Sequence, residues 1–166
     1  MPKIVDHEAH RRTLAEKAAG VFSAKGYGAV GMREMAAELG VSKSALYHYF
    51  PTKQALFLAA TEAMMAREPE VRLSEEGSEA DRLRALAVAM KADFGAEMAL
   101  VFDYLRGKSC EAVREDAAMG VALETYEGMV AEIVGEARAQ DVLVRLMGAL
   151  LLDALSGGAM AAEDRV

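Results

Sequence analysis

Apolar positions recur along this chain at the three- and four-residue spacing of helices, and no stretch alternates as a half-buried strand would. The pattern predicts a first helix from about Asp6 to Lys25, with Leu14, Ala18, Val21 and Phe22 on one face and Gly26 stopping it. A second helix is predicted over Met32 to Leu39, then a tight turn at Gly40 and Val41. A third opens at Ser42 and closes near Phe50, ahead of Pro51. Thr52 caps a fourth helix, from Lys53 to about Glu68, which turns Leu56, Phe57, Ala60 and Met64 inward. Pro69 and the polar run from Leu73 to Ser78 read as a linker. Beyond it the pattern predicts helices from Ser78 to about Asp93, from Ala96 to Arg106 between Gly95 and Gly107, from Ser109 to about Ala137, and from Asp141 to Ser156. The expected fold class is all-α.

The segment 31–50 carries signals that agree with one another. In the third helix, Ser42 is a good N-cap, and Val41 before it can staple to Leu46. Leu46 and Phe50 are four apart, so they anchor one face. The opposite face presents Lys43, Ser44, Tyr47 and His48: a cation, a hydroxyl, a phenol and an imidazole, with no carboxylate to repel a phosphate. Such a set, at the exposed start of a short helix, is what a major-groove reader needs. Val30 and Met35 form the same staple on the second helix, from whose first turn Arg33 projects. Lys53 stands at the free N–H groups that open the fourth helix, a suitable phosphate clamp.

Charge sharpens this picture only when the chain is split. The net charge of −7 argues against a nucleic-acid partner, yet residues 1–60 hold eight Lys and Arg against five Asp and Glu, a balance of +3 that leaves −10 for the remainder. All three histidines, His7, His10 and His48, fall in that basic part. The most apolar run, Leu146 to Leu152, is far too short to span a bilayer, so a soluble cytoplasmic protein is expected. The single Cys110 excludes an intrachain disulfide, and its place at a helix start raises a thiolate that an inert, packed thiol outweighs. With no histidine beyond His48, no metal site is expected. An enzyme is disfavoured too: Cys110 has no histidine in its own half, no glycine-rich phosphate loop is present, and the Glu75-Glu76 pair lies in the linker.

The run VFSAKGYGAVGMREMAAELGVSKSALYHYFPTKQALF resembles the TetR-family DNA-binding domain. The resemblance is carried by Phe22, Gly26-Tyr27, Met35-Ala36, Leu39-Gly40-Val41-Ser42, Leu46-Tyr47, Phe50 and Lys53 with Leu56. It implies an N-terminal three-helix helix-turn-helix DNA-binding domain over 1–67, followed by a C-terminal helical ligand-binding and dimerisation domain over 68–166. Position by position, it places Arg33, Ser42, Lys43, Ser44, Tyr47, His48 and Lys53 on DNA. One departure is Gly31, where a hydroxyl cap is frequent in the family; glycine caps adequately but makes no phosphate contact.

The C-terminal half resembles the family in architecture alone. The last helix is apolar around most of its girth, so it needs cover on more than one side, and a second subunit is the expected cover. Met129, Ile133, Leu143, Met147, Leu150 and Leu151 are the expected dimer contacts. Met90, Phe94, Met98, Phe102, Met119, Leu123 and Tyr126 are candidates for an apolar or aromatic effector pocket. The resulting expectation is a homodimeric repressor released from a double-stranded, palindromic operator by an unidentified small molecule, with no cofactor. The alternative is a constitutive DNA-binding or architectural protein whose C-terminal half only dimerises, and activation in place of repression stays open.

Overall fold

The computed structural model describes residues 6–66 and 77–166, and every structural statement below concerns these. The chain is all-α: α1 His7–Lys25, α2 Met32–Glu38, α3 Lys43–Tyr49, α4 Lys53–Met65, α5 Glu79–Leu105, α6 Cys110–Arg114, α7 Ala117–Val134 and α8 Glu136–Leu155, then a 3-10 turn at Ala162–Asp164. Residues 6–66 and 99–122 form one compact unit, and 77–98 with 123–166 a second. The expected linker from Pro69 to Glu76, the boundary at 67/68 and the far end of the fourth predicted helix lie outside the described residues. Among the described residues, no helix is long and apolar enough to cross a membrane.

Local chemistry sets the ends of the early helices. Asp6 accepts the Glu8 and Ala9 N–H groups at the start of α1, Ser42 accepts from Ala45, and Thr52 accepts from Ala55. Gly31 caps α2 with no side-chain bond. α1 stops at Gly26, whose φ of 85° and ψ of 157° suit glycine alone. In the first unit Leu14, Phe22, Met35, Leu46, Phe50 and Leu56 are buried in one core, which Leu100 and Tyr104 of α5 complete. The second unit has its own core, built on Leu83, Leu86, Phe94, Val130, Leu146 and Leu150.

Three expected boundaries are corrected. The helices predicted to 93 and from 96 are one continuous α5, because Gly95 sits on an exposed face with open space where a side chain would be. A single mid-helix glycine costs only about 1 kcal/mol, which the buried Phe94 and Leu100 beside it offset. The long helix predicted from Ser109 is instead two, since Asp116 turns its carboxylate back to accept the Ala118 and Met119 N–H groups and starts α7. Cys110 therefore opens a five-residue helix and stands exposed there, where a packed thiol was expected. The last helix begins at Glu136, after Gly135 at φ 83°, and Asp141 lies inside it.

Gly26 and Gly20 should respond in opposite directions to a methyl group. Gly26→Ala meets both the strained backbone and the Asp103 carboxylate, 3.2 Å from the new Cβ. We expect it to lower the unfolding free energy by about 2–3 kcal/mol. Gly20, mid-helix in open space, should gain about 0.5–1 kcal/mol as alanine. Urea denaturation of the two variants checks the signs.

Candidate nucleic-acid interface

α3 is seven residues long and is held by one buried side: Leu46 and the following Phe50 are fully buried. Val41 is half-buried against the same core, and Val30 and Met35 are both buried under α2, as the staple pattern requires. Ser42, Lys43, Ser44, Tyr47 and His48 all stand exposed on the other side of α3, with Arg33 exposed on α2. The Ser42 and Ser44 hydroxyls are 3.1 Å apart, and the Lys43 ammonium lies 5.6 Å from the Tyr47 ring centroid. This face presents donors and positive charge.

The carboxylates of α2 are drawn away from it. Lys25 binds Glu34 and Glu38, each at 2.8 Å, and both bonds hold its ammonium well above the usual lysine range. One cation is thus shared by both carboxylates and leaves a single negative charge on the trio, while Arg33 is the α2 charge outside the described ion pairs.

Lys53 is placed differently from the simple clamp predicted. It is half-buried, with its ammonium 4.2 Å from the Tyr27 ring centroid. Burial pushes its pKa down, and the nearby Asp103 carboxylate partly restores it. Tyr27 is itself gripped by α5: its ring meets Tyr104 edge-on at 4.7 Å, while Tyr104 stacks on Phe57 at 4.0 Å. Asp103 accepts the Gly28 N–H at 2.6 Å. Sequence spacing gave no sign of this grip, because Asp103 lies 75 residues from Gly28. Behind Tyr104, its hydroxyl donates to the buried Asp116 carboxylate at 2.7 Å, and Lys108 binds the same oxygen. Nor does the spacing show that His7 and Tyr49 are neighbours of His48, with His10 beside Tyr49. The one available signal was that every histidine falls in the basic part of the chain.

The candidate effector residues fall in both units, Phe102 and Met119 in the first and the other five in the second. Phe94 is buried in the second core, with Met90, Met98 and Tyr126 packed half-buried against it. Phe102 and Leu123 stand 61% and 60% exposed, and Met119 packs on the core of the first unit. Tyr126 donates to Glu97 at 3.1 Å, and burial pushes the Glu97 carboxyl up despite that bond. A separate open cleft of about 240 Å³ lies in the first unit beside Thr52, Leu58, Tyr104 and Asp116. It is smaller than the roughly 300–1,000 Å³ of most ligand pockets.

The expected dimer residues also divide. Ile133, Leu143 and Leu150 are buried within this chain, whereas Met129 and Met147 are half-buried. Leu151 is exposed, in a stripe with Val144, Leu152 and Leu155 along α8 that sequence reading did not separate from the core face.

Residues 14–60 match the family described as bacterial regulatory proteins, tetR family. Over 60 residues, 36% of this chain, the sequence is 40% identical to the HTH-type transcriptional regulator PksA of Bacillus subtilis (strain 168), covering 29% of that protein. The chain thus spans less than a third of the length of the curated relatives it matches. Among solved structures, AibR in complex with isovaleryl coenzyme A and operator DNA superposes with a TM-score of 0.60 at 22% identity, covering 86% of this chain and 84% of that one. The multidrug binding protein EbrR complexed with proflavin gives a TM-score of 0.64 at 22% identity, over 93% and 94%. These structures share the fold.

The Asp116 group has a definite pH signature. Burial pushes its carboxyl up, but Lys108, the Tyr104 hydroxyl and the Met119 N–H outweigh this and hold it below the usual value. A carboxyl lowered on folding stabilises above the ordinary range and loses that contribution as pH falls through its folded value. Asp116→Asn is expected to cost about 1–3 kcal/mol at pH 7. It should also flatten the loss of stability below about pH 4, read by urea denaturation across pH.

Proposed function

We propose that this chain, whose residues 14–60 match the tetR family of bacterial regulatory proteins, is a sequence-specific DNA-binding transcriptional regulator of that family. The observation that carries the reading is the outward face of α3. It offers Lys43, Ser44, Tyr47 and His48 without a carboxylate, on a helix fixed from behind by Leu46 and Phe50. In this reading Lys43 and Ser44 meet base edges, while Arg33, Ser42, Tyr47, His48 and Lys53 hold the backbone. Tyr27 backs Lys53, so the clamp starts from a defined position and gives up less side-chain freedom on binding.

The regulator works as a homodimer, and the face that a second copy covers is the stripe Val144, Leu151, Leu152 and Leu155. Four exposed apolar side chains at that spacing on one helix make a seam, and a two-fold protein suits a palindromic operator. The dimer is a repressor released by a small apolar or aromatic molecule. The likeness in fold to AibR and EbrR, solved with isovaleryl coenzyme A and with proflavin, supports a small-molecule effector. A second reading, a DNA-binding protein whose C-terminal part only dimerises, is favoured by the packing of Phe94, Met90, Met98 and Tyr126 into a core. Thermal melting with and without proflavin separates the two: a raised Tm together with release of DNA supports the effector reading.

Selection of duplexes from random DNA by the purified protein tests the central claim, which fails if nothing is enriched. On an enriched duplex, Lys53→Ala should weaken all sequences alike and flatten log K against log[salt] by about one per subunit. Lys43→Ala should change the preferred base by about 1–3 kcal/mol.

For the dimer, Leu155→Glu is expected to give a monomer with unchanged helicity in sedimentation equilibrium. Leu150→Glu, which buries the charge in the chain's own core, should unfold it.

A further inference from the structure

All three histidines of the chain gather around a single phenol. His7 and His10 lie on the first turn of α1 and His48 on the last turn of α3. Their ring centroids stand 6.1, 5.3 and 5.2 Å from that of Tyr49. His7 Nδ1 is 3.0 Å from the Tyr49 hydroxyl, and the His7 and His48 rings are 6.5 Å apart. His7 and His48 are exposed, while His10 and Tyr49 are half-buried, so the group opens to solvent beside the outward face of α3.

We propose that His7, His10 and His48 around Tyr49 form a proton-controlled phosphate site, through which a fall in pH tightens the protein's hold on the DNA backbone. The inference rests on the DNA-binding reading above. Imidazole is the side chain that gains charge between about pH 8 and pH 5. Once protonated, each ring carries a positive charge and two N–H donors, the chemistry that grips a phosphate oxygen. In its neutral Nε2–H tautomer, His7 accepts a hydrogen bond from the Tyr49 hydroxyl at Nδ1; protonated His7 can only donate there, which frees the Tyr49 O–H to turn to a phosphate. Three such charges around one phenol repel each other in the free protein, and a phosphate among them relieves the repulsion. Proton uptake and phosphate binding therefore favour one another, and the coupling is reciprocal.

The charged surroundings leave room for this. On α1, Asp6 is occupied by the Glu8 and Ala9 N–H groups, Glu8 is exposed, and the Arg11 guanidinium lies 5.1 Å from the Phe50 ring centroid. α3 adds Lys43 at its other end, over Tyr47. α2 adds Arg33, its two glutamates being bound to Lys25. α4 carries Lys53, over Tyr27, and Glu62. Among the described residues, no group of His, Cys, Asp and Glu side chains is arranged to hold a metal ion.

The test uses the full chain and a labelled duplex enriched by the selection above, with anisotropy read at constant ionic strength. Affinity is expected to rise at least tenfold from about pH 7.5 to about pH 6, with a steeper salt dependence at the lower pH because more cations meet phosphates. The double variant H7Q/H10Q, which leaves α3 untouched, should bind within about twofold of the parent at the higher pH and lose most of the gain. Circular dichroism melting checks its fold, and the single variant H7Q, at an exposed position, gives the same comparison should the double variant melt early. A parent affinity that is flat with pH, or a full gain kept by a folded variant, overturns the proposal and leaves the DNA-binding reading standing. A gain abolished by EDTA also overturns it, since the histidines would then act as metal ligands. No binding at either pH overturns both.

Discussion

A seven-residue helix has no stability of its own, and most of the face proposed to meet DNA is carried by one. Nucleating so short a helix costs more than its few internal bonds return. α3 exists because Leu46 and Phe50 are buried behind it, each removal from water being worth about 1.5–3 kcal/mol. That one-sided anchoring fixes which residues face out. Rotation of α3 by a single residue would carry Lys43 and Tyr47 off the exposed face and bring the anchors into water.

The anchors of α3 were legible in the sequence because they obey local rules. A cap at Ser42, a staple from Val41 to Leu46, and an i,i+4 pair at Leu46 and Phe50 lie within ten residues of one another. The capping of α4 by Thr52 is equally local. The same local reasoning failed where a competing local signal was stronger than it looked. Gly95 resembled a stop but sits harmlessly on an exposed helix face, and Asp116 resembled an ordinary helical carboxylate but caps α7. What could not be read at all were contacts set by tertiary packing, such as Asp103 on Gly28 and Tyr104 on Phe57. α8 illustrates the same limit. Its leucines share one composition, and only burial separates Leu143 and Leu150, which serve the chain's own core, from Leu151 and Leu155, which do not.

The electrostatics follow a similar division. Net charge alone misleads, since the −7 of the chain divides into +3 over residues 1–60 and −10 beyond, where most of the acidic residues lie. Sequence counting located that asymmetry but not its refinement. Lys25 bridges both carboxylates of α2, a pairing across 9 and 13 residues that a count of charges does not show.

The bond from Asp103 to Gly28 also has a consequence for how the molecule is made. A ribosome delivers the head helices first, but the carboxylate that receives the Gly28 N–H, and the Tyr104 ring that seats Tyr27, emerge only after many more residues have been added. The early helices therefore wait with an unfilled aromatic socket and an unpaired loop amide until α5 is complete. Closing so long a loop is slow compared with forming the local turns. The same arithmetic bears on dissection of the chain. A fragment cut soon after α4 retains every residue of the proposed recognition surface, yet leaves behind the part of α5 that holds Tyr27 beneath the Lys53 ammonium.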